Sequence, residues 1–174
     1  MAADAEGLFA EHHQQLFRYL CRAVGQADTA RDLTQDLFVR VSRAKLPDAG
    51  GPQIKAWLFR IARNLALDHH RRRVMRAEAQ DVPEGQRPAT QHTALAINRA
   101  LESLADLDRD VFLMREVSGL TYDEIATACD LTTDSVRSRL HRTRLQLRQQ
   151  LAAPIAQRLT EPMRQRPGRP RQDL

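Results

Sequence analysis

The sequence predicts an all-α protein built as two small helical domains joined by a flexible linker. Three observations carry this. Only 7 glycines occur in 174 residues, and Ala, Leu, Arg and Gln are plentiful. Apolar residues recur at helical spacing, with no alternation of β-branched residues of the kind a half-buried strand would need. A polar stretch over residues 77–92, containing Pro83, Gly85 and Pro88, interrupts the helical pattern and divides the chain. A length of 174 residues accommodates one domain or two small ones.

Residues 1–7 are expected to fray. Residues 8–24 read as a helix, with Leu8, Phe9, Leu16, Tyr19 and Leu20 available for a core and the adjacent His12 and His13 on the surface. Asp28 is a candidate cap for a second helix running to about Arg43. There Leu33, Leu37 and Val41 form an i, i+4, i+8 stripe with Phe38 on its flank, and Asp32, Gln35 and Asp36 read as a solvated face. Residues 45–53 hold two prolines and two glycines and are expected to be a loop. A third helix over 54–73 buries Trp57, Ile61 and Leu65, with Leu58 and Ala62 beside them, and gathers Arg60, Arg63, Asn64 and Arg71 on the other side. Trp57 suits base stacking and plain core packing about equally.

Beyond the linker, 93–105 and 108–117 read as two helices with Leu95, Leu101, Leu104, Val111, Phe112 and Met114 as core candidates. Residues 120–147 form the most informative stretch. Thr121 and Glu124 make a capping box, in which the hydroxyl accepts from an early helical N–H and the carboxylate reaches back. Gly119 suits the left-handed end of the preceding helix. Ile125, Ala126 and Cys129 face inward, Asp130 takes a left-handed turn, Leu131 fills the gap, and Thr132 or Thr133 caps the next helix. Val136, Leu140, Thr143 and Leu147 then lie on one side. Ser138, Arg139 and Arg142 lie opposite, with Ser135 near them and Arg137 and His141 flanking. This is a helix-turn-helix pattern, whose second helix would enter a DNA major groove.

Charge distribution agrees. Residues 51–76 carry seven Lys/Arg against one acid and 131–150 five against one, whereas 77–130 carry four against eleven. Two basic patches separated by an acidic stretch suit one polyanion gripped at two places. No glycine-rich phosphate loop, no acids clustered at metal spacing and no nucleophile paired with a base occur, so neither an enzyme nor a cofactor or metal site is expected. Cys21 and Cys129 lack metal spacing and read as small buried residues of a reducing compartment. With no apolar run near the ~18 residues of a membrane span and no signal peptide, a cytoplasmic protein without membrane insertion is expected. Residues 152–174 are Pro/Arg-rich and expected to be disordered. Their RPGRPR segment contains a Gly-Arg-Pro core suited to a narrow minor groove, although a solubilising basic tail is the stronger reading.

Three segments, DLTQDLFVRV from Asp32, AWLFRIARNLALDHHRRR from Ala56 and REVSGLTYDEIATACDLTTDSVRSRLHRTR from Arg115, lie in an order and spacing that resemble the extracytoplasmic-function (ECF, group 4) sigma factors. These are the minimal RNA polymerase sigma subunits of the sigma-70 family. The likeness spans roughly residues 8–151. It implies a region 2 domain over 1–76, a linker over 77–92 and a region 4 helix-turn-helix domain over 93–151. It further implies that Asp32, Gln35, Asp36 and Phe38 dock on the clamp coiled coil of the polymerase β′ subunit, and that region 4 meets the β flap. Trp57, Arg60, Arg63 and Asn64 would read the minus-ten element, with the 45–53 loop holding a flipped base. Arg115, Arg137, Ser138, Arg139, His141 and Arg142 would read the minus-thirty-five element. An anti-sigma factor is a common partner in such a family. The chain departs from the family pattern at Asp130, where Gly is usual, at Ala105, where Pro is usual, and at His141, where an aromatic residue is frequent. The competing reading is a free-standing helix-turn-helix regulator using residues 8–76 to dimerise or sense a ligand. The helix holding Trp57 argues against it, because a sensor has no need to combine stacking and phosphate-contact residues.

Overall fold

A computed structural model describes residues 5–47, 50–79 and 92–160. Helical periodicity is realised as seven helices: α1 (Ala5–Val24), α2 (Ala27–Arg43), α3 (Gly51–Ala79), α4 (His92–Glu102), α5 (Asp106–Glu116), α6 (Tyr122–Cys129) and α7 (Thr133–Thr160). The first three pack as one bundle and the last four as another. No helix among the described residues is long and apolar enough to cross a membrane.

Several boundaries differ from expectation for local reasons. Helix α2 is capped at Gln26, not Asp28, without a side-chain cap bond. Asp28 instead lies in the first turn, where its charge suits the helix dipole and it accepts a 2.7 Å bond from Arg31. Helix α3 starts at Gly51, so the expected 45–53 loop ends early. Pro52 is the reason: its fixed φ and missing N–H cost nothing in a first turn, and the Gly50 carbonyl accepts from Gln53 and Ile54. Helix α3 also runs three residues into the expected linker, and residues 80–91 lie outside those described. Helix α7 continues to Thr160, nine residues into the stretch expected to be disordered, through helix formers such as Leu151 and Ala152. Residues 161–174, with the RPGRPR segment, lie outside the described residues.

Buried faces are also rotated from the expected stripes. In α2 the inward residues are Ala30, Thr34, Leu37 and Val41, with Leu33 and Phe38 only partly covered. Thr34 is tolerated inside because its hydroxyl donates to the Ala30 carbonyl at 2.7 Å. In α3 the buried set is Ile54, Ala56, Leu58, Phe59, Ala62, Leu65 and Ala66, while Trp57 and Ile61 sit half-covered at its edge. Phe59 meets Tyr19 edge to face at 5.6 Å between ring centroids. Phe9, expected in the core, is 44% exposed and stacks on His13 instead. His12, expected on the surface, is buried. In the second bundle Leu101, Leu104, Val111, Leu113, Met114, Leu120, Ile125, Val136, Leu140 and Leu147 fill the interior. Phe112 is only partly covered, and the side chain of Leu95 lies outside the description.

The two bundles touch. Helices α1 and α3 pack against α5 and α6, and one continuous apolar cluster runs through both halves.

Candidate nucleic-acid interface

The helix-turn-helix forms as its residues dictate. Both bonds of the capping box are present, from the Glu124 N–H to Thr121 Oγ1 at 3.2 Å and from the Thr121 N–H to Glu124 Oε2 at 2.7 Å. Asp130 closes α6 in the left-handed region with φ 57° and ψ 51°, the one position where a non-glycine residue takes positive φ among those described. Gly119 turns the preceding corner at φ 68°. Thr132, rather than Thr133, caps α7 by accepting from the Ser135 N–H at 3.2 Å. Thr133 instead donates to Asp123 Oδ1 at 2.8 Å, tying α7 to the start of α6. Val136, Leu140, Thr143 and Leu147 all point inward.

Of the six residues assigned to duplex reading, Arg137, Ser138, His141 and Arg142 are exposed on α7. Arg137 pairs with Asp134 one turn back at 2.6 Å, an exposed i, i+3 pair that DNA can displace at little cost. Arg139 is half-buried and donates to Asp108 of α5 at 2.6 Å, so it also braces the recognition helix. Arg115 donates to the Leu120 carbonyl at 2.8 Å and lies over the Tyr122 ring at 5.1 Å, which fixes it at the mouth of the turn.

The four residues assigned to the minus-ten strand share α3, and two of them, Arg60 and Arg63, are engaged at the seam between the halves. Asn64 is exposed and Trp57 offers an open edge. Arg60 donates to the Thr127 carbonyl of α6 at 2.6 Å. Arg63 donates through Nε to Asp110 Oδ2 of α5 at 2.8 Å, and the buried Tyr19 hydroxyl donates to the other carboxylate oxygen at 2.9 Å. Lys55 meets Glu124 Oε2 at 3.3 Å, so the capping-box carboxylate serves both its own helix and the seam. Ser118 donates to the Gln15 carbonyl at 3.3 Å. Two of the four side chains expected to hold single-stranded DNA are thus engaged by the other half.

Tyr19, Lys55, Asp110 and Glu124 do not stand out as interface residues in the sequence. The one available signal was Asp110 itself, an acid placed on the inward face of α5 beside Met114. Burial pushes its carboxyl above the usual carboxylate range, with the bonds from Tyr19 and Arg63 pulling the other way. The Tyr19 hydroxyl is raised well above its ordinary value, chiefly by burial and next by the Asp110 charge. Burial also pushes the Cys129 thiol up to about 11, with Sγ 3.8 Å from Met114 Sδ, so it packs as an inert apolar group. Cys21 is only partly buried, and both cysteines are free.

On α2, Asp32 and Gln35 are exposed while Asp36 and Phe38 are half-covered. Asp36 accepts from Arg40 at 3.0 Å, and Phe38 meets Phe9 edge to face at 4.8 Å. The acids of α2 and the edge of Phe38 are therefore accessible on the first bundle. Among the described residues no group of three or more His, Cys, Asp or Glu could hold a metal ion.

His12 carries a pH prediction. Its pKa is lowered, first by burial and also by Lys55, with Glu11 and Glu124 opposing. A histidine lowered on folding gives stability that is present above its unfolded value near 6.5 and is lost as the pH falls through the folded value. Thermal unfolding should therefore occur at lower temperature at pH 5 than at pH 7, and His12→Gln should flatten that slope. An unchanged slope in the variant would remove His12 from the account.

A two-bundle helical protein with a basic helix-turn-helix in its second half and a basic, aromatic-edged helix in its first defines a class of bipartite DNA-binding subunits. Comparison with known proteins gives the particular family. A model of sigma-70 region 2 matches residues 8–76, and one of sigma-70 region 4 matches residues 94–147. The RNA polymerase sigma factor YlaC of Bacillus subtilis is 28% identical over 158 residues, covering 84% of this chain and 91% of that protein. The ECF RNA polymerase sigma factor SigL of Mycobacterium tuberculosis is 33% identical over 150 residues, covering 80% and 84% respectively. Among solved structures, CnrH in complex with the cytosolic domain of CnrY superposes with a TM-score of 0.66 at 26% identity, covering 86% of this chain and 88% of that one. The sigma factor RpoE of Bartonella quintana, in complex with the anti-sigma factor NepR, has a TM-score of 0.65 at 23% identity over 84% of this chain and 96% of that one, a likeness of fold. The chain belongs to the sigma-70 family, in its ECF group.

Proposed function

We propose that this chain is a promoter-specificity subunit: it binds core RNA polymerase, directs it to promoters with particular minus-ten and minus-thirty-five elements, and supports duplex opening. The observation that carries this reading is the helix-turn-helix, braced by the Arg139–Asp108 pair, that presents Arg137, Ser138, His141 and Arg142 on one open side of α7. Asp32, Gln35, Asp36 and Phe38 are the docking surface for the β′ clamp, and the second bundle meets the β flap. Trp57 and Asn64 take the opened minus-ten strand, joined by Arg60 and Arg63 once these leave the seam. The subunit itself does no chemistry. RpoE was solved with the anti-sigma factor NepR, and a partner of that kind suits this chain too.

Arg142→Ala tests the duplex-reading half. On the upstream element that wild-type holoenzyme selects from a random library, the variant should lose about 1–3 kcal/mol of binding and relax its preference at one or two positions if Arg142 reads a base. A uniform loss on all sequences would assign it to the phosphate backbone. Wild-type affinity and selectivity would remove α7 as the reading helix. Arg139→Ala should additionally lower the melting temperature, because it leaves Asp108 without its partner.

A further inference from the structure

A second basic site lies away from both DNA-reading faces, at the back of the seam. The C-terminal end of α1, the later turns of α3 and helices α4 and α5 surround a cavity of about 40 Å³, several times the ~10–15 Å³ that one water needs. Arg22, His69, His70 and Arg73 line it from the first bundle and Arg109 from the second, with Glu102 as the single acid among its lining residues. Arg109 is only 8% exposed. One of its terminal nitrogens is paired with Asp106 at 2.8 Å, but its buried Nε has no hydrogen-bond partner among the described residues. A buried guanidinium N–H without an acceptor is costly, and Arg109 carries that cost beside a cavity whose other charged lining is mostly cationic, a setting that an anion would relieve. His69 reports the local potential independently: besides burial, every charge acting on it, from Arg73, His70, Arg76 and Arg72, disfavours its protonation.

We propose that this cavity binds a small, multiply charged phosphate-class oxyanion, gripped by Arg22, His69 and Arg73 of the first bundle and by Arg109 of the second. Because the grip spans both bundles, the site is complete only while they are in contact. Occupancy therefore favours the closed arrangement over any arrangement in which the bundles part, and by reciprocity closure raises affinity for the anion. The consequence for promoter binding rests on the sigma-factor reading above; the site itself does not.

The test is titration of the full chain with inorganic pyrophosphate by calorimetry, at fixed ionic strength, without DNA or polymerase. Saturable one-to-one binding is expected. The double variant Arg73→Gln, His69→Gln should weaken it by more than tenfold, and its circular dichroism reports whether the fold is intact. Arg109→Gln should do the same where it folds. Asp110→Ala, which loosens the seam without touching the cavity, should also weaken binding. Uptake that does not saturate, or that survives the double variant, overturns the proposal. So does affinity unchanged by Asp110→Ala, which would leave a basic helix end binding ions without regard to closure. If the double variant loses duplex DNA affinity while pyrophosphate never binds saturably, the cluster serves the DNA backbone and the small-anion site does not exist. Failure of the sigma-factor reading would appear only in polymerase-dependent assays and leave this titration unaffected.

Discussion

Adding core RNA polymerase should convert this protein from a weak DNA binder with steep salt dependence into a tight, promoter-specific complex with permanganate-reactive thymines near the start site. Unpairing DNA costs on the order of 1–2 kcal/mol per stacked step, more than one small helical bundle recovers. The polymerase must supply the remainder and hold the two bundles at the separation of the two promoter elements. Asp36→Arg should abolish the gain while leaving the fold intact, because among the described residues Asp36 pairs with Arg40 alone, in an exposed pair worth a few tenths of a kcal/mol. Leu37→Asp should instead unfold the first bundle, since Leu37 is fully buried. Tight, specific protection of an operator by the protein alone, unaltered by core polymerase, would favour the stand-alone regulator.

The second large effect is expected at the seam. Asp110→Ala removes the acceptor shared by Tyr19 and Arg63 and strands a fully buried tyrosine hydroxyl. A charge-assisted hydrogen bond contributes about 1.5–3 kcal/mol, and an unsatisfied buried donor costs about 1–3 kcal/mol. Two things reduce that sum: the desolvation of Asp110 itself, and the ability of Arg63, whose side chain is 21% exposed, to rehydrate. A net loss of about 2–3 kcal/mol is expected, or roughly 30- to 150-fold in favour of parted bundles. Small-angle scattering should report a larger radius of gyration, with helix content unchanged. Binding to a forked minus-ten probe should strengthen, because Arg60 and Arg63 are freed for the single strand. Unchanged scattering together with unchanged probe affinity would mean that the seam is no barrier to DNA.

These two predictions depend on different kinds of information. The helix-turn-helix was legible residue by residue because its determinants are local. A capping box spans four positions, a left-handed turn one, and an amphipathic helix repeats its pattern within each turn. Gly119, Thr121, Glu124, Asp130, Val136 and Leu140 all occupy the roles their types suggest. The solvent-facing side of α7 follows from the same periodicity. Helix existence was equally legible, and the larger boundary shifts came where a first-turn proline or a run of good helix formers extended an element.

The angular position of a buried face was less legible. Ala30 and Thr34 in α2, and Phe59 in α3, became core while Leu33, Trp57 and Ile61 moved to the edge. Residues one or two positions apart on a helix differ little in apolar pattern, and only the neighbouring helix decides which of them is covered. Burial of His12 and exposure of Phe9 have the same origin, since α1 has partners on more than one side.

Apart from the inward placement of Asp110, the seam was not legible. Tyr19, Lys55, Arg63, Asp110, Glu124 and Arg109 are scattered over the chain, with 91 residues between the two partners of one hydrogen bond. Singly, Tyr19 reads as a core residue, Arg63 as part of a basic helix face and Glu124 as a capping residue. The sequence by itself determined two helical bundles, a DNA-reading helix and the residue types offered to a promoter. Only the tertiary structure decided that Arg60 and Arg63, the arginines proposed for the minus-ten strand, are held by the second bundle and that a basic cavity lies behind them. Such long-range polar contacts depend on how whole faces dock, and a buried carboxylate is tolerable only after donors from distant helices have arrived around it.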